Sequence, residues 1–326
     1  MRPRVFITQP VAKSATERLR AVADVTWNPD PLHICTKDEL IAAAGRSDVL
    51  FCLLHDRVDR DTIAASPGLK VIATMTVTPA DVDVAEATRR RLPVTVVPGA
   101  LLDDATADLA WALLLAVARR VAEGDRLVRA GTVPGSQSCY LEGGGVSGKV
   151  LGIVGMGGVG RAAARRARGF AMRVLYYDPR RLAAQEEREL GLTWVPFGQL
   201  LAESDFVSIH ARLTPESRHL FGSRELAQMK PGAYLVNTAR GPIVDERALI
   251  ETLEAGRIAG AGLDVYENEP HIPAALAKLP NVVLSPHTGS AVRELREAMA
   301  NVAVDNILAV LEGRRAPNCY NPEIYQ

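Results

Sequence analysis

The sequence predicts an α/β protein with two doubly wound parallel sheets. Two series of short apolar runs, separated by amphipathic segments, extend along almost the whole chain of 326 residues. A glycine-rich turn opens the second series, between a wholly apolar run and an alanine-rich segment. Alternating strand and helix patterns of this kind are typical of parallel sheets covered by helices on both faces. A chain of this length is sufficient for two domains of ordinary size.

The first series predicts four strands, in the runs RVFITQP, VLFCLL, LKVIATM and PVTVVP. It ends near Gly99, and the pattern that follows predicts a long helix from Ala105 to Ala130. The final helical pattern, Ala291 to Glu312, is predicted to return to the first domain. We therefore predict a first domain of residues 1–99 with 291–326, and a second domain of residues 100–290.

The second series predicts six strands, in the runs VLGIV, RVLYYD, FVSIHA, YLVNTA, GAGLDVY and NVVLSP. Helical patterns, ESRHLFGSRELAQMK and DERALIETLEAG, lie between them. In an open parallel sheet the carboxyl ends of the strands share one edge, and ligands bind in the crevice outside it. The residues that fall at or just past those ends are Gly155, Asp178, His210, Arg240, Asp264 and His287.

The turn GMGGVG predicts the start of a Rossmann-like dinucleotide-binding unit. It follows the predicted strand Val150 to Val154, and its first, third and sixth residues have GxGxxG spacing. Gly155 allows a tight turn, Gly157 lets a pyrophosphate approach the backbone, and Gly160 lets helix and strand pack closely. We expect the whole turn to contact the cofactor: Gly155, Met156, Gly157, Gly158, Val159 and Gly160.

Asp178 indicates which cofactor the turn binds. It ends the second predicted strand, Arg173 to Tyr177, and lies eighteen residues beyond Gly160. An acidic side chain there can accept hydrogen bonds from the ribose hydroxyls and would repel the extra phosphate of NADP. Arg180 and Arg181 follow it, and cations beside the ribose can favour a 2′-phosphate. We therefore predict NAD as the cofactor, with NADP as the alternative.

Arg240, Glu269 and His287 predict the chemistry. They lie in the turns NTARGPIVDE, GLDVYENEP and LSPHTGS, each just beyond an apolar run. An arginine can grip a carboxylate with two parallel N–H donors, and a histidine supported by a glutamate can pass a proton to a carbonyl. Taken singly, each could be a surface charge or a turn residue. Their joint placement with the glycine turn predicts reduction of a 2-oxo acid.

Composition argues against several other functions. The 38 basic and 38 acidic residues give a formal net charge of zero, so no global field would recruit nucleic acid or an anionic membrane. The four cysteines have neither CxxC nor metal-ligand spacing, so we expect free thiols and no metal site. The amino terminus lacks a signal-peptide core, and the longest apolar run, Leu109 to Ala118, is too short to span a bilayer. We expect a cytoplasmic protein whose partner is a small molecule.

Four motifs resemble the D-isomer-specific 2-hydroxyacid dehydrogenases: ATADLAWALLLAVAR, the GMGGVG turn with Asp178, NTARGPIVDERALIETLEAGRIAGAGLDVYENEP, and SPHTGSA. The resemblance covers nearly the whole chain. It implies a flavodoxin-like substrate-binding domain, a Rossmann-like NAD-binding domain and an active site in the cleft between them. It implies that Arg240 binds the substrate carboxylate and polarises the carbonyl, that His287 is the acid/base, and that Glu269 orients His287.

The resemblance also implies further contacts with the cofactor. Asp264 would hold the nicotinamide carboxamide, and Thr106 would lie near the nicotinamide end. The other cofactor-binding candidates lie at or after the predicted strands of the second series: His210, Ala211, Thr238, His287 and Gly289.

The loop Val77 to Asp81 departs from the family pattern, in which a glycine is followed by an aromatic residue, aspartate and asparagine. Backbone amides of that loop normally receive the substrate carboxylate, but Thr78 adds a side chain and Pro79 removes a donor. We expect Val77 and Thr78 to bind substrate with Arg240 and His287, and His55 to border the pocket. A glyoxylate- or hydroxypyruvate-like acid is expected, and a bulkier or phosphonate-bearing 2-oxo acid is the alternative.

A different class of function is also open at this point. A protein of this fold could sense NAD(H) without catalysis, although the complete set of Arg240, Glu269 and His287 favours an enzyme. The predicted helix after Ala105, with Trp111 and several leucines, is more apolar than one sheet face requires. We therefore expect a homodimer, as in the family.

Overall fold

The structure is a computed structural model that describes residues 2–79 and 81–326. The chain divides into two compact units, one formed by Met1–Leu101 with Ala291–Gln326 and the other by Leu102–Ser290. The strands are β1 Arg4–Ile7, β2 Asp24–Trp27, β3 Val49–Cys52, β4 Val71–Thr74, β5 Val94–Thr95, β6 Val150–Val154, β7 Arg173–Tyr177, β8 Leu192–Trp194, β9 Phe206–Ile209, β10 Tyr234–Asn237, β11 Gly260–Leu263 and β12 Val282–Leu284. The helices are α1 Lys13–Val22, α2 Lys37–Ala44, α3 Arg60–Ala64, α4 Val84–Arg89, α5 Asp103–Ala118, α6 Val121–Arg129, α7 Gly158–Ala167, α8 Ala184–Leu190, α9 Phe197–Glu203, α10 Ser223–Leu226, α11 Glu246–Glu254, α12 Ala274–Lys278 and α13 Arg293–Leu311.

The first unit contains a five-stranded sheet in the order β2-β1-β3-β4-β5, and all of its strand pairs are parallel. Every residue of β3 and β4 is buried, because both sheet faces are covered. One face packs on α1 and α13 through a cluster that includes Val5, Ile7 and Ile307. The central strands therefore consist of continuous apolar runs rather than an alternating pattern.

The second unit contains a seven-stranded sheet in the order β12-β11-β10-β9-β6-β7-β8, again with parallel pairs only. Val154 at the end of β6 pairs with Tyr177 of β7 and Ile209 of β9. Asn237, the last residue of β10, pairs with Ile209 of β9 and with Leu263 of β11, so these three strands end at the same level. The carboxyl ends of these strands therefore share one edge, as the sequence predicts for the residues that follow them.

Three details of the predicted architecture are wrong. The single helix expected from Ala105 to Ala130 is two helices, α5 and α6, separated at Arg120, which has a φ of 53°. A left-handed residue cannot continue an α-helix, so the chain changes direction there. The six strands expected in the second series are seven, because the short edge strand β8 lacks a strong apolar pattern. Strand β2, which alternates exposed and half-buried residues, was missed for the same reason.

Candidate active site

Glu269 and His287 form a hydrogen-bonded acid/base pair. His287 Nδ1 lies 2.6 Å from Glu269 Oε2, and the side chains are 24% and 16% exposed. The other carboxylate oxygen of Glu269 accepts a hydrogen bond of 2.9 Å from the backbone N–H of Tyr266. One oxygen of Glu269 is thus fixed by its own turn while the other orients the imidazole. This arrangement makes His287 Nε2 the ring nitrogen suited to exchange a proton with a bound molecule.

Asp264 holds the turn that carries His287. Its side chain is 1% exposed, and its two oxygens accept hydrogen bonds from the backbone N–H groups of Thr288, at 2.7 Å, and Gly289, at 2.9 Å. The backbone carbonyl of Asp264 also accepts from the N–H of His287, at 2.9 Å. His287 itself adopts a φ of 54°. Asp264 therefore fixes the backbone from which the imidazole projects.

Arg240 follows β10 in a turn organised by Asn237. The Asn237 side chain donates to the carbonyl of Arg240, at 3.1 Å, and accepts from the N–H of Ala239, at 3.0 Å. The guanidinium donates to the Ala239 carbonyl, at 2.7 Å. Burial lowers the pKa of Arg240, and the nearby negative charge of Glu269 raises it. A guanidinium stays protonated at neutral pH, so the site contains a partly desolvated cation.

Gly241 brings the Arg240 turn against the Glu269 turn. A Cβ atom at this position would overlap the backbone carbonyl group of Tyr266, and it would lie 2.5 Å from the backbone nitrogen of Glu267. Glycine is therefore required for this approach of two backbones. The close approach explains how two residues 29 positions apart in the sequence come to influence each other electrostatically.

The glycine turn has the form expected of a dinucleotide-binding site. Gly155 has a φ of 92°, and a Cβ there would lie 2.5 Å from the backbone nitrogen of Ala211. A Cβ on Gly160 would overlap the carbonyl oxygen of Gly155, so strand and helix pack closely there. Gly157 is exposed, and a Cβ on it would meet nothing within 4 Å. The backbone at the amino end of α7 is thus open to an approaching phosphate.

Asp178 connects the glycine turn to the loop after β7. Its carboxylate accepts from the N–H of Met156, at 2.8 Å, and from the N–H of Arg180, at 2.9 Å. The Arg181 guanidinium, in contrast, donates two hydrogen bonds of 2.9 Å to Glu187. Half-buried Val159 belongs to the first turn of α7.

Two buried polar atoms at the same edge have no hydrogen-bond partner among the described residues: His210 Nδ1 and Thr238 Oγ1. Ser208 Oγ lies 2.9 Å from the other ring nitrogen of His210. Burial lowers the pKa of His210 to about 4, so its imidazole is neutral at physiological pH. Thr106 lies near Gly289, since a Cβ on that glycine would be 3.5 Å from Thr106 Oγ1. Unsatisfied polar atoms beside an open glycine turn fit a bound NAD.

The remaining predicted residues, His55, Val77 and Thr78, lie in the Met1–Leu101 unit. His55 follows β3 with a φ of 74°. Thr78 is exposed, and its carbonyl accepts a hydrogen bond of 2.9 Å from the Thr76 hydroxyl. Val77 is half-buried. The loop that differs from the family pattern, Val77 to Asp81, includes Ala80, which lies outside the described residues. The structure therefore places these three beyond the ends of β3 and β4, within one unit.

Sequence reasoning missed several residues of the two edges. Asn237 precedes and Gly241 follows Arg240 in the sequence, and nothing in the motif itself indicated their structural roles. Asp103 lies against Gly158, and only folding brings these two residues together. Asp56 is 1% exposed and lines a small cavity with Thr74, Thr76 and Thr78. A carboxylate two residues after the predicted strand VLFCLL was the available signal for Asp56.

The part of the chain that the structure describes contains no helix long and apolar enough to cross a membrane. Within those residues, no group of three or more histidine, cysteine, aspartate or glutamate side chains could hold a metal ion.

Comparison with known proteins identifies the family. Residues 111–289 match the model of the D-isomer specific 2-hydroxyacid dehydrogenase NAD binding domain. The chain is 44% identical to a glyoxylate reductase of Thermococcus litoralis, over 99% of this chain and 98% of the relative. The crystal structure of the TT0316 protein from Thermus thermophilus matches with a TM-score of 0.87 and 43% identity, over 97% of this chain and 99% of that one.

A crystal structure of an NADPH-dependent glyoxylate/hydroxypyruvate reductase from Sinorhizobium meliloti is more distant. It matches with a TM-score of 0.82 and 28% identity, over 98% of this chain and 97% of that one. Both the NAD-binding-domain match and the near full-length relatives agree with the two parallel sheets and the glycine turn. The chain therefore belongs to the D-isomer-specific 2-hydroxyacid dehydrogenases, NAD-dependent oxidoreductases that act on CH–OH groups.

Proposed function

We propose that this dehydrogenase reduces a small 2-oxo acid, of the glyoxylate or hydroxypyruvate type, with Arg240, Glu269 and His287 as its catalytic residues. The observation that carries the proposal is the 2.6 Å contact between His287 and Glu269, at the sheet edge that also carries Arg240. A carboxylate partner stabilises an imidazolium, which is the form that can protonate a carbonyl oxygen. The names of the relatives support the same substrate class.

The residues that would hold the cofactor are those of the glycine turn, Asp178 and the edge residues His210, Ala211, Thr238 and Gly289. When bound, NADH supplies a hydride to the carbonyl carbon of the substrate. Backbone N–H groups at the amino end of α7 would bind the pyrophosphate, and Asp178 would accept hydrogen bonds from the adenosine ribose. Thr106 and Asp264 would lie at the nicotinamide end. Asp264 also keeps the His287 turn in place through its hydrogen bonds to the backbone.

Arg240 binds the substrate carboxylate. Its partly desolvated guanidinium offers two parallel N–H donors, and a desolvated cation attracts an anion more strongly than one in water does. The same cation withdraws electron density from the adjacent carbonyl, which makes that carbon more susceptible to attack. Substrate binding and activation are therefore functions of one side chain.

His287 moves the proton. Its Nδ1–H donates to Glu269, so the proton on Nε2 is directed to the carbonyl oxygen as that oxygen gains charge. In the oxidative direction the neutral imidazole takes the proton back. Glu269 fixes the orientation of the imidazole ring throughout.

We expect the loop Val77 to Asp81 to decide which side chain the substrate carries. Val77 and Thr78 would receive the substrate carboxylate or side chain, and His55 would border the pocket. The substrate panel comprises glyoxylate, hydroxypyruvate, pyruvate, phenylpyruvate and phosphonopyruvate, each with NADH and with NADPH. We expect turnover on glyoxylate or hydroxypyruvate, measured as absorbance loss of the reduced cofactor.

The other outcomes of this panel are equally informative. Turnover confined to phenylpyruvate or phosphonopyruvate would show that the altered loop selects a bulkier or phosphonate-bearing acid. Tight NADH binding without turnover on any acid would overturn the enzymatic proposal and favour a cofactor-sensing protein.

We also propose that the chain forms a homodimer. The apolar residues of α5 that suggested a dimer, such as Trp111 and Leu114, are buried within their own unit. Exposed apolar side chains lie instead on and after α6: Val121 is 57% exposed, Val128 65% and Val133 51%. Light scattering should give twice the chain mass of 35.1 kDa. A monomeric mass would contradict this proposal, and charged substitutions at Val121 and Val128 should produce it.

A further inference from the structure

Asp103 occupies the space beside the phosphate end of the glycine turn. It is the first residue of α5, and Gly158 is the first residue of α7. A Cβ on Gly158 would overlap the carboxylate of Asp103, so that carboxylate lies directly on the glycine backbone. Both residues belong to the Leu102–Ser290 unit. Any larger residue at position 158 would displace Asp103.

A dinucleotide's pyrophosphate binds where the first N–H groups of this helix are exposed, because those groups lack partners within the helix. Gly157, immediately before, is exposed and open. The Asp103 carboxylate, which lies against Gly158, is therefore at the end of α7 that should receive the two charges of the pyrophosphate. An ionised carboxylate and a pyrophosphate repel each other there.

The positive charges around Asp103 offset its negative charge only in part. Arg161 and Arg165 favour its ionised form, while Asp104 and partial burial disfavour it. Arg161 is itself bonded to Glu186 and to the Met156 carbonyl. Asp104 accepts from Arg166 at 3.0 Å and faces Arg165 at 3.7 Å. The balance raises the pKa of Asp103 above its ordinary value, chiefly because the carboxyl group is partly buried.

We propose that Asp103 controls cofactor affinity: its ionised form opposes the pyrophosphate of NAD(H), and its protonated form admits it. The inference rests on the cofactor site described above and adds a residue that weakens binding rather than strengthening it. The sign of the pH effect follows. As the pH falls towards the raised pKa of Asp103, the repulsion disappears and the cofactor binds more tightly.

The test compares Asp103→Asn with Asp104→Asn in binding ADP-ribose, by isothermal titration calorimetry. ADP-ribose contains the pyrophosphate but no nicotinamide, so His287 and catalysis do not enter the measurement. The two variants remove the same charge from the same first turn of α5, and Asp104 is exposed. Asp103→Asn should lower the dissociation constant of ADP-ribose by roughly 5- to 10-fold at pH 8, as expected for removing one charge at close range.

Adenosine, which lacks phosphates, is the matched ligand and should bind both variants as it binds the unsubstituted protein. For the unsubstituted protein, ADP-ribose should bind more tightly as the pH is lowered from about 8 towards the raised pKa of Asp103. The same titration of Asp103→Asn should be nearly flat.

Four results would overturn the inference. Unchanged or weaker ADP-ribose binding by Asp103→Asn would show that the carboxylate does not oppose the phosphates. An equal gain in Asp104→Asn would assign the effect to net charge. An equal gain for adenosine would assign it to rearrangement of the site. Absence of ADP-ribose binding by every protein tested would instead remove the cofactor site on which the inference rests.

Discussion

The carboxyl edges of the two sheets carry different kinds of side chain. The edge of the Leu102–Ser290 unit, here called the charged edge, carries Arg240, Glu269 and His287. The edge of the Met1–Leu101 unit, here called the hydroxyl edge, carries Asp56, whose cavity is also lined by Thr74, Thr76 and Thr78. The two units share a parallel architecture, so the architecture does not determine the chemistry.

The difference also extends to how each edge holds its ionisable groups. On the charged edge, Glu269 is oriented by a backbone N–H and Asp264 by two, so each carboxylate has a fixed direction. On the hydroxyl edge, Asp56 Oδ2 is also fixed, because it accepts from the Leu53 backbone N–H at 2.7 Å and from the Thr8 hydroxyl. Its Oδ1, in contrast, has no hydrogen-bond partner among the described residues, and burial raises the pKa of this carboxyl. We infer that the charged edge performs the reaction, while the threonine hydroxyls of the hydroxyl edge help to select the substrate.

Replacement of His287 by alanine should cause the largest loss of activity among the substitutions considered for the two edges. The substitution removes the proton donor, and general acid catalysis contributes roughly 10²- to 10⁴-fold, so kcat should fall by about that factor. Cofactor affinity should change little, because His287 Nδ1 is directed to Glu269 rather than to the glycine turn. Steady-state kinetics and NADH titration would measure the two quantities.

The matched control is His55→Ala on the hydroxyl edge. His55 has the same left-handed backbone as His287, with φ values of 74° and 54°. If the reaction belongs to the charged edge, His55→Ala should alter KM more than kcat. Equal losses of kcat in both variants would show that catalysis is not confined to the charged edge.

Arg240→Lys should have the second largest effect. Lysine keeps the charge but cannot reproduce the two parallel donors, so KM for the 2-oxo acid should rise by roughly 10- to 100-fold. The Asn237 bonds to the turn backbone do not involve the guanidinium, so the fold should be retained. A KM within twofold of the unsubstituted enzyme would show that the substrate carboxylate binds elsewhere.

Gly241→Ala tests whether the charged edge depends on close backbone contact. The added methyl group would meet the Tyr266 carbonyl group, and such overpacking typically costs about 1–3 kcal/mol of stability. We expect a lower thermal midpoint together with a lower kcat, because the Arg240 and Glu269 turns would separate. Gly169→Ala is the control, since a Cβ there meets nothing within 4 Å. Equal midpoints for the two variants would contradict the assigned role of Gly241.

The sequence predicted the strands that carry the charged edge because those strands are buried on both faces. Runs such as Val150–Val154 are apolar throughout, and the residue after each run was identified as a site candidate. Strands β2 and β8 lie at the sheet edges, carry exposed residues and gave no such pattern. Local composition therefore predicted the centre of each sheet better than its margins.

Contacts between distant segments could not be predicted in this way. Asp103 and Gly158 are both ordinary residues in their own motifs, and their proximity depends on how α5 packs beside α7. Gly241 likewise resembles an ordinary turn glycine until the backbone of Tyr266 is placed against it. The break at Arg120 also escaped prediction, because arginine is a good helix former and only its observed φ reveals the turn.

The smallest predicted effect concerns NAD against NADP, the choice that Arg180 and Arg181 left open. Glu187 holds Arg181 with two contacts of 2.9 Å and also accepts a hydrogen bond of 2.7 Å from Tyr176. Arg181 is therefore not directed to the ribose, which favours NAD. Glu187→Gln should release the guanidinium and tighten NADPH binding by roughly 3-fold, the scale of an exposed ion pair.

The control for this release is the double substitution Glu187→Gln with Arg181→Ala. If Arg181 causes the gain, the double variant should lose it, while NADH should bind all three proteins alike because it has no 2′-phosphate. Fluorescence titration would give both dissociation constants. A gain that persists without Arg181 would assign it to Arg180, whose backbone N–H already binds Asp178. The loop after β7, rather than the charged edge, would then set cofactor preference through a single exposed cation.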